Sequence, residues 1–181
     1  EARSVLVRVL VPADEEVRGR VIKATNSQTG VQISSLRSTD RIHRNIEQYV
    51  KDRVNLFYDR KKNFYKNQGK PLSRIVSVSQ MAQSVMSTLL RQPDTARARP
   101  SSLLKDDKRY KSVFDEKYQL GLYLVSAYLL KEIESQLREE PGLSSKDRNN
   151  VRFYALMAAV QILCEKAEPT FTEISEIEEF V

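Results

Sequence analysis

The fold class of this chain is decided by the stretch Leu120-Gly121-Leu122-Tyr123-Leu124-Val125-Ser126-Ala127-Tyr128-Leu129-Leu130-Lys131-Glu132-Ile133. Its apolar residues follow helical spacing and cover most of the helix surface, which predicts a long buried helix. We expect this helix to run from about Tyr118 to Glu140. Pro141-Gly142 should end it, because neither residue type readily continues a helix. The second half of the chain therefore resembles a helix bundle.

Further helices are predicted on both sides of this stretch, each from a polar capping residue followed by apolar residues at helical spacing. Their predicted caps are Asp14, the Ser38-Thr39-Asp40 run, Ser79, Ser144 or Ser145, and Thr170 or Thr172. Pro93 should stop the helix that Ser79 begins, and the segment around Pro100 should hold short helices. In the second of these helices the apolar stripe comprises Ile42, Ile46, Tyr49, Val50 and Val54.

Strands are predicted near the N-terminus. Val5–Val11 is β-branched and apolar, which indicates a strand buried on both faces. Leu56–Lys66 and Arg74–Val78 flank a turn-like Asn67–Pro71 segment, which favours a β-hairpin, with a helix through 59–64 as the alternative. We therefore expect an α+β fold, predominantly α-helical with a small N-terminal β-sheet or hairpin. It should form a single unit over 1–181, with a helical subdomain from about residue 79.

Charge and composition restrict the functional classes. The 181 residues carry a formal net charge of +6, with a pI of about 9.4, which makes an anionic partner such as DNA or RNA plausible. One cysteine, Cys164, allows no internal disulfide and favours the reducing cytoplasm. No apolar run reaches the roughly 20 residues that span a bilayer, so we expect no membrane association. The chain starts at Glu1 without an initiator Met, and we expect it to be cut from a longer protein.

Catalytic patterns are sparse. The sequence has no Gly-rich phosphate loop, no zinc-type His and Cys spacing and no nucleophile elbow. His43 is predicted to face solvent on its helix, so a catalytic role is not expected. A metal-dependent nuclease would have to use Asp59 and Lys61, with Asp40 or Asp52 as a further carboxylate. We expect no catalysis, no metal ion and no cofactor in this chain.

A basic and aromatic segment is the strongest functional signal. Cations interleaved with aromatic rings suit contact with backbone phosphates and stacking of bases. We predict phosphate contacts from Arg60, Lys61, Lys62, Lys66, Arg97 and Arg99. Tyr58 and Tyr65 should either stack on bases or support the strand, and the same cluster contains Phe64. The alternative is that the aromatic residues belong to the core and the cations form a solvated face without a partner.

The polar run Thr25-Asn26-Ser27-Gln28-Thr29 follows a predicted helix. Asn26 and Gln28 each offer a hydrogen-bond donor and an acceptor and are expected to shape a polar pocket. Bonds to the local backbone would explain the same residues, since Asn and Ser favour turns.

An ordered series of short motifs resembles the AIPR family of bacterial proteins, which is associated with abortive-infection phage resistance. The series comprises Val7-Arg8-Val9, Ile22–Thr29, Leu36-Arg37-Ser38-Thr39-Asp40, Ile46-Glu47, Phe57–Tyr65, Pro71, Met81-Ala82-Gln83-Ser84, Ala96–Pro100 and Tyr110–Phe114. The resemblance implies a phage-defence role for the parent protein, of which this chain would be a fragment lacking the N-terminal part. It carries over no active site.

Three functions remain open. The leading prediction is a non-catalytic portion of a phage-defence protein that binds or senses nucleic acid. The second is a protein-interaction or oligomerisation module, formed by the apolar helices at 120–133 and 151–163. The third is the nuclease that uses Asp59 and Lys61.

Overall fold

A computed structural model describes residues 14–26, 40–98, 104 and 106–181, with the backbone alone at 22–26 and 180. The elements in chain order are α1 (Glu15–Asn26), α2 (Arg41–Val54), β1 (Phe57–Asp59), α3 (Phe64–Asn67), a 3₁₀ turn (Leu72–Arg74), β2 (Ile75–Ser77), α4 (Val78–Thr88), α5 (Pro93–Ala98), α6 (Asp107–Val113), α7 (Leu120–Glu139), α8 (Ser145–Leu163), α9 (Phe171–Glu176) and a second 3₁₀ turn (Ile177–Phe180). The predicted α+β class, mostly helical, is confirmed. The strand predicted at Val5–Val11 lies outside the described residues.

Helix α7 is the centre of the molecule. It packs against α2, α4, α8 and α9, and its buried residues include Leu122, Leu124 and Leu130. One hydrophobic cluster runs from Ile42 to Ile177 around this helix. Burying apolar side chains at about 25 cal/mol per Å² is the main stabilising contribution, so the long helix predicted from sequence organises the core.

The two short strands pair in parallel, with Phe57 opposite Ile75 and Asp59 opposite Ser77. The predicted hairpin is therefore wrong, and the alternative helix over 59–64 is replaced by α3, which begins at Phe64. A hairpin needs a tight turn, whereas the connection over 60–74 holds α3 and a 3₁₀ turn, long enough for a parallel crossover. All three residues of β1 are buried, as is typical of parallel strands covered on both sides.

Helix caps follow local chemistry. Asp14 caps α1, its Oδ1 accepting from the Val17 N–H at 2.7 Å, and capping boxes at Ser144 and Thr170 begin α8 and α9. The cap predicted at Ser79 is wrong by two residues. Ser77 accepts from the Gln80 N–H at 3.2 Å, and Gln80 accepts from the Ser77 N–H at 3.0 Å. Helix α4 thus starts directly where β2 ends.

The prediction that Pro93 stops α4 is wrong, because α4 already ends at Thr88. Pro93 is instead the first residue of α5, a position that suits a residue without an N–H. Gly142 follows α7 with φ +89°, a left-handed conformation that glycine adopts without steric cost.

Among the described residues, no helix combines the length and apolar character needed to cross a membrane.

Candidate nucleic-acid interface

The connection between β1 and β2, residues 60–74, is here called the basic connection. It contains six Lys or Arg residues and no Asp or Glu. Lys61, Lys62 and Lys66 are exposed, and within the described part of the chain none of them forms an ion pair with a carboxylate. The structure therefore brings these three predicted phosphate contacts together on one surface segment, with their charges presented to solvent.

Arg60, by contrast, is engaged with the protein itself. Its Nε donates to Glu47 Oε2 at 2.5 Å, while the Tyr65 hydroxyl donates to Glu47 Oε1 at 2.7 Å. Burial, and then the bond to Glu47, raises the pKa of the Tyr65 phenol to about 12, so the hydroxyl stays protonated and donating. Glu47 of α2 therefore fixes the start of the basic connection, and Arg60 and Tyr65 support the strand.

Tyr58 is fully buried, and its hydroxyl lies 2.7 Å from Nδ1 of His43. Burial raises the pKa of the Tyr58 phenol well above its ordinary value. A ring with no exposed face has no surface on which a base can stack. Tyr58 is therefore a core residue and not part of the interface. Tyr65, with only 9 % of its surface exposed, is likewise too buried to stack on a base.

His43 is also fully buried, so the prediction that it faces solvent is wrong. Its second ring nitrogen, Nε2, lies 2.9 Å from the Tyr110 hydroxyl, and its ring meets Phe114 edge-on at 4.5 Å. Helix α6 covers this side of α2. Sequence periodicity shows which face of a helix is apolar, but it does not show how far a neighbouring helix extends over the flank of that face.

The hydrogen bonds around His43 favour one tautomer of its neutral ring. The Tyr110 hydroxyl donates to Asp40 Oδ2 at 2.8 Å, so its oxygen accepts from His43 and Nε2 must carry the hydrogen. Nδ1 then accepts from the Tyr58 hydroxyl. The side chains of Tyr58, His43, Tyr110 and Asp40 thus form a hydrogen-bonded structural network that ties α2 to β1 and α6.

Phe64 is the aromatic side chain that the basic connection does expose, with 45 % of its surface accessible. It begins α3 and packs edge-on against Tyr65, with ring centroids 5.0 Å apart. An exposed ring amid cations is suited to stacking on a base. Sequence reasoning placed Phe64 in the aromatic cluster but did not select it. The exposure of the Phe64 ring beside three exposed lysines is the signal that only the structure reveals.

The other predicted site residues lie elsewhere or are not described. Arg97 lies on α5, where it donates to Asn150 of α8 at 3.1 Å and faces Asp94 at 3.8 Å. Arg99 and Gln28 lie outside the described residues. Asn26 is the last residue of α1, and its side chain is likewise not described. The polar pocket of Asn26 and Gln28 stays a prediction.

The carboxylates named for a nuclease do not assemble. Asp40 accepts from Tyr110, and Asp52 is exposed on α2, where Gln48 donates to it at 2.6 Å. Asp59 ends β1 and is buried, with its Oδ1 accepting from the Tyr65 N–H at 3.3 Å. Within the described ranges, no three His, Cys, Asp or Glu side chains are grouped as metal ligands.

These features define a mainly helical α+β protein that presents a basic connection between two parallel strands. A family model described as AIPR protein matches residues 1–180, and the chain therefore belongs to the AIPR family, that of abortive-infection phage-resistance proteins. No curated protein matches the chain, and no solved structure matches it.

Proposed function

We propose that this chain is a non-catalytic, nucleic-acid-binding or sensing portion of an abortive-infection phage-resistance protein that acts in the cytoplasm. The observation that carries the proposal is the basic connection, in which Lys61, Lys62 and Lys66 are exposed and free of carboxylate partners within the described residues. Lysines in this state release condensed counterions when they meet phosphates, which drives binding to nucleic acid of either kind. Phe64 supplies a stacking surface beside them.

Single strands fit this surface better than a duplex does. The basic connection is short and irregular, and it offers neither a long exposed helix nor a β-ribbon for a major groove. An exposed ring beside lysines instead suits backbone contacts with stacking of unpaired bases. We therefore expect tighter binding to single-stranded DNA or RNA than to a duplex of equal length.

Fluorescence anisotropy with labelled single-stranded and duplex oligonucleotides, across a salt series in EDTA, tests the proposal. Three lysine contacts predict that the logarithm of the binding constant falls with the logarithm of salt concentration, with a slope of about −2 for single strands. The absence of binding at low ionic strength, by a protein that circular dichroism shows to be folded, contradicts the proposal.

A second candidate function, self-association, is favoured by the exposed apolar residues of α8. Four of its apolar residues are exposed, Ile162 at 74 %, Leu163 at 48 %, Val151 at 40 % and Tyr154 at 39 %. Exposed apolar residues gathered on one helix commonly mark a protein interface. A second copy of the chain is the partner that we propose for these residues.

Sedimentation velocity over a range of protein concentrations tests self-association. We expect a concentration-dependent dimer that Ile162→Asp abolishes, because a charge would have to be buried in the contact. The matched control is Leu72→Asp, since Leu72 is 64 % exposed but lies in the basic connection. A wild-type chain that stays monomeric at the highest concentration rules this candidate out.

A further inference from the structure

A polar cleft lies at the carboxyl ends of the two parallel strands. Its volume is about 260 Å³, and its lining comprises Asp59, Arg60, Lys62, Asn63, Ser77, Val78 and Ser79. Parallel strands direct their carboxyl ends, and the helix that follows, toward one edge, where ligands of α/β proteins commonly bind. Here the first turn of the 11-residue helix α4 contributes a positive partial charge, and Lys62 contributes a full one.

The side chain of Asp59 is the unusual member of this lining. Only 7 % of its surface is exposed, yet its single hydrogen bond is the 3.3 Å contact from the Tyr65 N–H to Oδ1. Oδ2 has no hydrogen bond or ion pair from any residue that the structure describes. Oδ2 is not among the fully enclosed unpaired atoms of the described residues, so it reaches the solvent of the cleft and is open to a ligand there.

An anion alone does not explain the cleft, because a phosphate held by Lys62 and the α4 terminus would meet the negative charge of Asp59. A divalent cation removes the conflict. Mg²⁺ is commonly bound through one or two protein carboxylates together with phosphate oxygens of the ligand, and it keeps several water molecules. Such a site needs no cluster of protein ligands.

We propose that the cleft binds a phosphate group together with a divalent cation, with Asp59 Oδ2 as the protein ligand of the cation and Lys62 beside the phosphate. This departs from the sequence-based expectation of no metal. The inference concerns ligand binding only and does not require that the ligand be nucleic acid. A phosphate of a nucleic acid and a free phosphate would present the same oxygens to it.

Mn²⁺ binding, measured by the relaxation of water protons in the presence of inorganic phosphate, tests the site on the whole chain. We expect Asp59→Asn to weaken Mn²⁺ binding at least about tenfold, as an amide is a poor substitute for a carboxylate ligand of a hard cation. The amide oxygen still accepts from the Tyr65 N–H, so the fold is retained. Asp52→Asn is the matched control, because Asp52 is an exposed acid on α2.

A second arm replaces inorganic phosphate by a 5′-phosphorylated oligonucleotide. Tighter Mn²⁺ binding with the oligonucleotide assigns the phosphate to nucleic acid, and equal binding assigns it to a free phosphate ligand. Lys62→Gln, at an exposed position, should reduce the enhancement by phosphate in either case.

Oligonucleotide binding by Asp59→Asn and wild type, compared with and without Mg²⁺, separates cation binding from charge repulsion between Asp59 and the phosphate. In EDTA, Asp59→Asn should bind the oligonucleotide as well as wild type or better, whereas with Mg²⁺ at matched ionic strength it should bind more weakly. Equal Mn²⁺ affinity of wild type and Asp59→Asn overturns the proposal. Oligonucleotides that fail to bind, alongside phosphate-dependent Mn²⁺ binding, would reject nucleic-acid binding and retain the cleft.

Discussion

Replacing His43 by alanine is expected to lower the free energy of unfolding by about 3–5 kcal/mol, as large-to-small changes at fully buried rings do. The substitution leaves a cavity next to Phe114, whose ring lies 4.5 Å from the imidazole. It also leaves the buried Tyr58 hydroxyl without the Nδ1 acceptor that it meets at 2.7 Å, and a buried unpaired donor alone costs about 1–3 kcal/mol. Urea denaturation followed by circular dichroism measures the change.

Arg44→Ala is the matched control for this prediction. Arg44 is the next residue of α2 but is exposed, so its loss should change stability by no more than about 0.5 kcal/mol. If His43→Ala were as mild as Arg44→Ala, the buried network of Tyr58, His43, Tyr110 and Asp40 would not exist in solution. A solvent-facing His43, as predicted from sequence, would give that mild result.

Reversing two charges of the basic connection is the second change with a large expected effect. The double variant Lys61→Glu/Lys66→Glu should weaken binding to single-stranded nucleic acid roughly 30- to 100-fold near 0.1 M salt. Both side chains are exposed, and neither lines the cleft of Asp59, so stability and cation binding should be unaffected. The salt slope should fall in magnitude by about 1.4, since two phosphate contacts are lost.

The control must carry the same charge change at another place. Arg138→Glu/Lys146→Glu also lowers the net charge from +6 to +2, at exposed positions at the end of α7 and the start of α8. Anisotropy titrations in EDTA compare the two double variants. Equal weakening by both would mean that binding follows the net charge of the molecule, and the basic connection would then have no special role.

Local patterns were sufficient for most helices. The apolar run that begins at Leu120 predicted α7, and Ser144 and Thr170 were correctly among the predicted caps, because capping depends on residues within one turn. The start of α4 failed since Val78 suits a strand as well as a helix. The Ser77-x-x-Gln80 capping box would have given the correct start.

The candidate interface was only partly predictable. The sequence selected Lys61, Lys62 and Lys66, and the structure places them on one exposed connection. It also selected Tyr58, which is buried in the core, and Arg60, which is hydrogen-bonded to Glu47. An aromatic or basic residue type has both a core use and a surface use, and the choice depends on neighbours that are distant in the chain.

By itself, the sequence determined the helical character of this protein, its family and the location of its densest run of positive charge, because all three follow from residues close together along the chain. Only the tertiary structure decided that β1 and β2 run parallel, that His43 is buried and that Asp59 opens into a cleft beside α4. These outcomes depend on contacts between elements far apart in sequence, such as Tyr110 with His43, whose free energy no local pattern expresses.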